Sequence, residues 1–365
     1  MNIVKPRLDV GSMLIERYKI VGEIGQGGMQ QVFLANDLSL KRDVAIKVPI
    51  NSSAEKRFER SARLSANIVH PNIAKTLDYA NSNGLEFLVE ELIPGSDLQQ
   101  RLDNHFIHLD PHLTAHIVHH LAKAVAAMNQ RGIIHRDLKP SNIMVSSDMG
   151  LQGVKVTDFG VATMADAEII DAVKGGLESI GQSKTVVGAL AFMAPELIKR
   201  GDGTNRIKCD VWSIGAILYF LLFGEYPFGN ELAAIQNILN GKYPDRSAQV
   251  NGSKLQFRSL IKSLWEITRS CLKMSVDDRP SALDVVKLFS SVTYSGAPRA
   301  LGRVKYISQN YGSFGFILPD EGADDVFFHF DSFFGERPTN GIRVTYSSFP
   351  GSPQSRAFPV VPCKI

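Results

Sequence analysis

The sequence predicts an α+β domain over residues 15–292 followed by a small all-β domain over residues 300–365. Three observations predict it. Short β-prone runs punctuated by glycine occupy the stretch from Ile24 to Val48. Helical patterns prevail from Leu113 onward and stop just past Val292, where Thr293-Tyr294-Ser295-Gly296-Ala297-Pro298 has linker composition. From Gly302 the chain is again β-prone and glycine-punctuated. A length of 365 residues suggests about two domains with an ample core. With 40 basic against 37 acidic residues, nothing global marks a nucleic-acid coat or a membrane-surface binder, so any such binding is local. Cys209, Cys271 and Cys363 have no metal-ligand spacing and suit a reducing compartment. Met1 to Gly11 lacks the apolar core of a signal peptide, and Ile214 to Phe223 is too short to span a membrane and reads as a buried helix. A cytoplasmic protein with no membrane partner is expected.

Taken in order, Ile24-Gly25-Gln26-Gly27-Gly28-Met29-Gln30-Gln31-Val32-Phe33-Leu34-Ala35 is glycine-rich and then β-prone. Because Val32 to Ala35 reads as a strand and opens no helix, the glycines suit a hairpin lid over phosphates better than a dinucleotide fold. Val44-Ala45-Ile46-Lys47-Val48 is an apolar strand carrying one lysine. Ala54 to Asn67 is helical in pattern, and Leu113 to Arg131 reads as a long helix with Gly132 as its C-cap. His108, His112 and His116 fall at four-residue spacing, with His119 and His120 following. That face raises a metal site, but no acidic or cysteine ligand clearly joins it, and histidines on a partly exposed helix are the plainer expectation. Ile143-Met144-Val145 reads as a short strand.

The chemistry concentrates in His135-Arg136-Asp137-Leu138-Lys139-Pro140-Ser141-Asn142, followed sixteen positions after Asn142 by Asp158-Phe159-Gly160. A carboxylate at Asp137 suits a proton acceptor for an attacking hydroxyl. Lys139 suits charge neutralisation on a transferred phosphoryl group, and Asn142 with Asp158 offers hard oxygen ligands for magnesium. These strings resemble the catalytic loop and metal motif of the eukaryotic-type Ser/Thr protein kinases found also in bacteria. The resemblance implies an α+β bilobal protein kinase fold, ATP and Mg2+ as cofactors, and protein hydroxyls as acceptors. It implies catalytic roles for Asp137, Lys139, Asn142 and Asp158, with Asn142 and Asp158 as metal ligands. It also implies an ATP site of Ile24, Gly25, Gln26, Gly27, Gly28, Val32, Ala45, Lys47, Glu90, Glu91, Ile93 and Met144. There Lys47 would hold the α- and β-phosphates, the Glu91 carbonyl and Ile93 amide would meet the adenine edge, and Met144 would floor the ring. Asp210-Val211-Trp212-Ser213-Ile214-Gly215, Tyr226-Pro227-Phe228 and Asp278-Arg279-Pro280 resemble helical-lobe anchors, with Glu196 expected on Arg279. Between Asp158 and Ala194-Pro195-Glu196 lies the segment kinases use as a switch. Ser183 and Thr185 are its phosphosite candidates, with Ser179 behind them, and Arg136 is the residue that would clamp a phosphate there. The resemblance extends from about Tyr18 to Val292.

Four positions depart from that family. Gln30 stands at the third glycine of the lid, adding a side chain near the phosphates and stiffening the tip. Counting back from His70-Pro71-Asn72-Ile73, the helix position of the lysine-pairing glutamate holds Ser61. Glu59 is rotated from it by about 200° and Glu55 by about 240° net, so neither should face the lysine. Glu90, in Phe87-Leu88-Val89-Glu90-Glu91-Leu92-Ile93, occupies the usually apolar gatekeeper position. A buried carboxylate is costly unless paired, so Glu90 is expected to pair with Lys47 in place of the absent helix glutamate, unless the alignment slips by one residue. Ala189, in Gly188-Ala189-Leu190-Ala191-Phe192, replaces a threonine that in the family bonds the catalytic aspartate and lysine. Its loss would lower turnover about tenfold if that bond is worth ~1 kcal/mol.

The C-terminal domain contains Phe314-Gly315-Phe316-Ile317 and Val326-Phe327-Phe328-His329-Phe330. So many rings exceed what a small core needs, and alternate strand residues face outward. The two strings resemble the paired RNA-binding motifs of the cold-shock domain, a five-stranded OB-type barrel that stacks single-stranded bases. The resemblance covers Ala300 to Pro362, following an N-terminal extension (1–14), a kinase domain (15–292) and a linker (293–299). It puts Tyr306 where the family has an exposed tryptophan, and Phe314, Phe316, Phe327 and His329 in a platform with Phe330 beside them. From Ala300 to Ile365 there are six basic and six acidic residues, and Gly312 and Ser313 stand where the family has a basic residue. Stacking at about 1–3 kcal/mol per base must then carry most of the affinity, so weak binding of single-stranded RNA or DNA is expected, with protein docking as the alternative. For the whole chain the readings are an active Ser/Thr protein kinase with protein substrates, or a weakly active or inactive kinase-like scaffold whose output is nucleic-acid or protein binding. Lys47, Asp137, Asn142 and Asp158 favour the first, while Ser61 and Ala189 keep the second open.

Overall fold

The computed structural model describes residues 8–26, 30–50, 58–59, 62–158, 190–199, 206–229, 233–308, 313–322 and 324–364. Its first lobe contains β1 (Met13–Leu14), β2 (Tyr18–Gln26), β3 (Gln30–Asp37), β4 (Arg42–Pro49), β5 (Thr76–Ser82) and β6 (Leu85–Glu91). They form an antiparallel 6-stranded sheet in the order β1-β2-β3-β4-β6-β5. Register divides this sheet into two faces. Gln30 stands opposite Pro49, Val32 opposite Lys47, Ala45 opposite Glu90 and Lys47 opposite Leu88. Since strand residues alternate, Gln30, Val32, Ala45, Lys47, Leu88 and Glu90 share one face. Phe33, Ala35, Val44, Ile46, Val48, Phe87 and Val89 fill the apolar core on the other.

Of the helix read over Ala54 to Asn67, residues 58–59 and 62–66 are helical, and Phe58 and Ala62 pack against Leu88. Ser61 and Glu55 lie outside the described residues. Glu59 pairs with Arg63 at 2.6 Å on the surface, in keeping with the rotation that turns it from Lys47.

The second lobe is mainly helical: β7 (Gly95–Asp97), α1 (Leu98–His105), α2 (Pro111–Asn129), β8 (Ile143–Ser146), β9 (Val154–Val156), α3 (Pro195–Ile198), α4 (Cys209–Phe223), α5 (Ala233–Leu239), α6 (Ser247–Gly252), α7 (Leu255–Cys271) and α8 (Ala282–Ser290). Helix α2 starts two residues before the sequence reading because Asp110 caps the amides of His112 and Leu113 and Pro111 takes the first helical position. It ends at Asn129, and Gly132, at φ 68°, makes the left-handed turn just beyond. Helix α4 is buried along nearly its whole length. Among the described residues no helix is long and apolar enough to cross a membrane. Glu196 meets Arg279 through paired contacts of 2.5 and 2.9 Å, locking α3 to the loop before α8.

The C-terminal segment closes into a barrel of β10 (Ala300–Ile307), β11 (Phe314–Pro319), β12 (Val326–His329), β13 (Arg343–Phe349) and β14 (Arg356–Pro362), in the order β10-β11-β12-β14-β13. Val304, Ile317, Phe328, Val344, Tyr346 and Val360 fill it. This barrel sits against the helical lobe. Phe358 stacks on Phe257 of α7 at 5.4 Å and meets the His112 ring of α2 edge-on at 5.2 Å. Lys254 donates to the carbonyls of Phe333 (2.6 Å) and Phe330 (3.2 Å), and the backbone amide of Lys364 donates to the carbonyl of His105 at 3.0 Å.

The linker is part of the seam. Ser295 donates its amide to His112 Nδ1 at 3.0 Å, the Tyr294 hydroxyl lies 2.7 Å from His119 Nδ1, and Arg299 forms a buried ion pair with Asp110 at 2.9 Å. The expectation of histidines on a partly exposed helix is thereby corrected: His112, His116 and His119 are buried, because α2 is covered by the linker and barrel as well as by its own lobe. Burial holds His116 and His119 down to about 4, with nearby His120 and Lys123 adding to the effect at one or the other. Among the described residues no group of three His, Cys, Asp or Glu is arranged to hold a metal ion.

Candidate active site

The site is assembled from the buried helix upward. Asp210, at the start of α4 and fully buried, accepts the backbone amides of His135 (2.7 Å) and Arg136 (2.8 Å). Those two bonds hold Arg136 at φ 69°, a left-handed conformation costly for a side-chain-bearing residue. His135 Nε2 lies 2.9 Å from the Thr157 carbonyl, tying the loop to the strand that delivers Asp158. The Asp137 carboxylate receives Lys139 Nζ at 2.8 and 3.1 Å and Asn142 Nδ2 at 3.0 Å. With the amide nitrogen of Asn142 spent on Asp137, its side-chain oxygen is the atom that could accept a cation. The Asp158 side chain keeps 25% exposure. This donor set, a carboxylate and an amide oxygen, fits a hard divalent cation such as Mg2+.

Above the loop, Lys47 Nζ lies 2.7 Å from Glu90 and 2.8 Å from Asp158, with Lys47 and Glu90 only 5% and 4% exposed. The Lys47 to Glu90 contact is a diagonal across the β4–β6 ladder, so strand register brings it about without any helix. One ammonium thus serves two carboxylates, buried Glu90 and half-buried Asp158. Burial alone would lower Lys47, but Asp158 and Glu90 outweigh it and hold the ammonium above its ordinary range. For Asp158 the burial cost is overcome by Lys47 and Gln30, and its carboxyl falls below the usual range. For Glu90 burial prevails over Lys47, and its carboxyl is raised. Of the two carboxyls, Asp158 therefore holds its negative charge more readily than Glu90.

Of the remaining residues assigned to ATP, Val32 and Ala45 share the cleft face with Lys47, and Ile24 is 51% exposed. Glu91 is held through its side chain by Lys155 Nζ at 2.7 Å and the Lys75 amide at 2.8 Å. Gly25 and Gln26 end β2, Ile93 is half-buried in the connection between β6 and β7, and half-buried Met144 stands on β8 opposite Lys155. Gly27, Gly28, Ser183, Thr185 and Ala189 lie outside the described residues. One contact escaped the sequence reading: Gln30 Nε2 donates to Asp158 Oδ1. Its signal was two-residue alternation, which puts Gln30 on the face of Lys47.

The profile of the family described as Protein kinase domain matches residues 18–288. The chain belongs to this family. It is 33% identical over 230 residues to the serine/threonine-protein kinase PrkC of Bacillus subtilis (strain 168), covering 61% of this chain and 33% of that protein. Against the serine/threonine-protein kinase PknB of Mycobacterium tuberculosis (strain ATCC 25618 / H37Rv) it is 36% identical over 230 residues, covering 60% of this chain and 34% of that one. The kinase-family chain therefore spans about a third of the length of these curated relatives. Two solved structures share the fold. The crystal structure of Rad53 1-466 in complex with AMP-PNP has a TM-score of 0.57 at 23% identity, covering 74% of this chain and 64% of that one. The Mycobacterium tuberculosis PknI kinase domain has a TM-score of 0.55 at 21% identity, covering 78% and 99%.

This kinase-family chain carries a second distinctive surface on its barrel. Phe314 stands opposite His329 and Phe316 opposite Phe327, while the core residues Ile317 and Val326 face each other on the inner side. A register shift between Val304 and Tyr306 inserts Lys305, turning Tyr306 outward opposite Phe316 with 50% exposure. Ring centroids then run Tyr306–Phe316 at 6.5 Å, Phe316–Phe327 at 5.8 Å and Phe327–Phe314 at 5.6 Å, with exposed His329 at the edge. Gly315 is obligatory beneath them, since a Cβ there would stand 2.6 Å from the Tyr306 carbonyl and 2.7 Å from the Phe328 ring. Phe330 corrects the sequence reading. It stacks on interior Phe328 at 6.2 Å, because two-residue alternation puts it on the inner side with Phe328, just where the chain turns into a 3-10 helix at Phe330–Ser332. Arg356, exposed and paired in register with Phe327, is the cation that the sequence did not place beside the rings.

Proposed function

We propose that the chain is an ATP-dependent Ser/Thr protein kinase whose barrel is a cold-shock-type module binding single-stranded RNA or DNA weakly. The observation that carries the first part is the Asp137 carboxylate held by Lys139 and Asn142 in a loop pinned to Asp210. In this reading an acceptor hydroxyl attacks the γ-phosphorus of ATP. The new O–P bond forms as the bond to the β,γ-bridging oxygen breaks, ADP leaves with that electron pair, and Asp137 takes the hydroxyl proton. Lys139 balances charge on the moving phosphoryl group, and Lys47, steadied by Glu90, holds the α- and β-phosphates. Asn142 and Asp158 would hold Mg2+, which neutralises charge on the phosphates when bound. Arg136, whose buried Nε has no partner among the described residues, suits a phosphate on Ser183 or Thr185.

The nucleic-acid part is supported by four outward rings in contact on a barrel face of balanced charge. A second reading, the barrel as a docked structural module, is favoured by its seam with α2 and α7. The deciding experiment is transfer of γ-labelled phosphate to the protein and a generic acceptor with magnesium, with and without single-stranded oligonucleotide, beside Asp137→Asn. Label lost in the variant is the expected result. A change on adding oligonucleotide would couple the domains, and no label above the variant despite ATP binding would favour the scaffold.

A further inference from the structure

We infer that Gln30 is a positioning residue that latches Asp158 to the glycine-rich strand and thereby sets how much magnesium the cleft demands. This rests on the kinase reading, in which Asp158 is a metal ligand. Gln30 stands at a lid position where a glycine would have no side chain to reach the cleft floor. The β3–β4 register turns it to the face that carries Lys47. From there Nε2 donates to Asp158 Oδ1, the same oxygen that Lys47 Nζ approaches at 2.8 Å. Thr157 Oγ1 donates to Oδ2 at 3.3 Å. Both oxygens of the carboxylate are thus engaged by the protein.

Two consequences follow from that arrangement. Asp158 has φ 63°, a left-handed conformation that a non-glycine residue keeps only when its surroundings fix it, and the Gln30 amide is part of that fixing. A divalent cation must also take lone pairs on Asp158 that Gln30 and Lys47 now share. Lys47 is retained by Glu90, but Gln30 has no second hold among the described residues, so it is the donor that yields. Its withdrawal would free the lid strand from the cleft floor at the moment the cation enters. Glutamine is therefore more than bulk at this position: its amide competes with the metal.

The test measures binding of a non-hydrolysable ATP analogue to the full chain by calorimetry across a magnesium series, for the natural protein, Gln30→Gly and Gln30→Met. Unchanged melting by circular dichroism establishes that the variants fold. Methionine keeps the length of glutamine and loses the donor. With one hydrogen bond to a charged group removed, both variants should reach half-saturation at about ten- to a hundredfold lower magnesium. Affinity without magnesium should move by less than about twofold, because the latch bears on the cation and not on the adenine or ribose. If Gln30→Met keeps the natural magnesium demand while Gln30→Gly lowers it, lid stiffness is the cause and the latch is wrong. Unchanged demand in both variants overturns it equally. Should the variants shift as expected while the natural protein transfers no phosphate, phosphoryl transfer falls from the reading, while magnesium-dependent nucleotide binding at Asp158 and the latch stand. No binding of the analogue by the natural protein at any magnesium concentration would sink both.

Discussion

The cleft face of the first sheet and the ring face of the barrel are built by the same device and do opposite things with it. In each, two-residue alternation sends apolar side chains into a core and a distinctive set to the other side. The cleft face collects Lys47 and Glu90, nearly dry, and pairs them with each other and with Asp158. The barrel face collects Tyr306, Phe314, Phe316 and Phe327, leaves them in contact with water, and places few free cations beside them. Lys305 and Arg343, two more of the barrel's basic residues, are tied to Asp325 (2.7 Å) and Asp320 (2.5 Å). The difference teaches which energy each face has to offer. Buried charge is expensive and must be matched in place, so the cleft is specific about geometry. Half-exposed rings carry no charge that demands a partner, so on the proposed reading a base stacking on them would be bound tolerantly and weakly.

The comparison breaks most visibly at Asp137. Replacing it by Asn should lower phosphoryl transfer by about 10²–10⁴-fold while leaving oligonucleotide affinity unchanged, measured on one preparation by labelled transfer and fluorescence anisotropy. Next comes the buried pair. In a cycle of Lys47→Met, Glu90→Leu and the double variant, ATP affinity should show a coupling of about 1–3 kcal/mol, whereas additive losses would mean that Glu90 does not support Lys47. On the barrel, Phe327→Ala should weaken single-strand binding by about 1–3 kcal/mol, and Phe330→Ala, off the platform, by less than about 0.5 kcal/mol in the folded variant.

The seam between the helical lobe and the barrel supplies a pH test. His116 and His119 sit near 4 in the fold against an ordinary 6.5, so the unfolded chain binds more protons between those values. Their neutral burial contributes fully above about 6.5 and is lost as pH falls toward 4. Calorimetric melting should drop by about 4 °C or more from pH 7.5 to pH 5, and by less in His116→Gln/His119→Gln. The smallest effect is salt: with balanced charge around the rings, log K for oligonucleotide against log salt should have a slope shallower than about −2, and a steep slope would reveal a basic track outside the platform.

Much of the cleft was legible because its signals are local strings. Asp137, Lys139 and Asn142 fall within one turn of chain, and their mutual contacts follow from that closeness. Glu90 was legible for a different reason: a carboxylate in an apolar strand demands a partner, and the missing helix glutamate left Lys47 available. The histidines misled because periodicity reports which side chains share a helix face and says nothing about what covers it. Here Tyr294, Ser295 and Phe358, more than 170 residues away in sequence, cover it. Phe330 differs for another reason: the family resemblance sets it beside the platform, whereas two-residue alternation from Phe328 turns it to the inner side.

By itself the sequence determined the kinase-family loop around Asp137, the alternation that separates core from outward side chains, and the neutrality of the barrel, because these depend on residue identity and short spacing. Only the tertiary structure decided that Gln30 and Lys47 meet on one oxygen of Asp158, that a bulge at Lys305 turns Tyr306 outward, and that the linker is folded into the helical lobe. Those are matters of register and docking between segments far apart in the chain. Their energies come from burying surfaces together, which no single segment encodes.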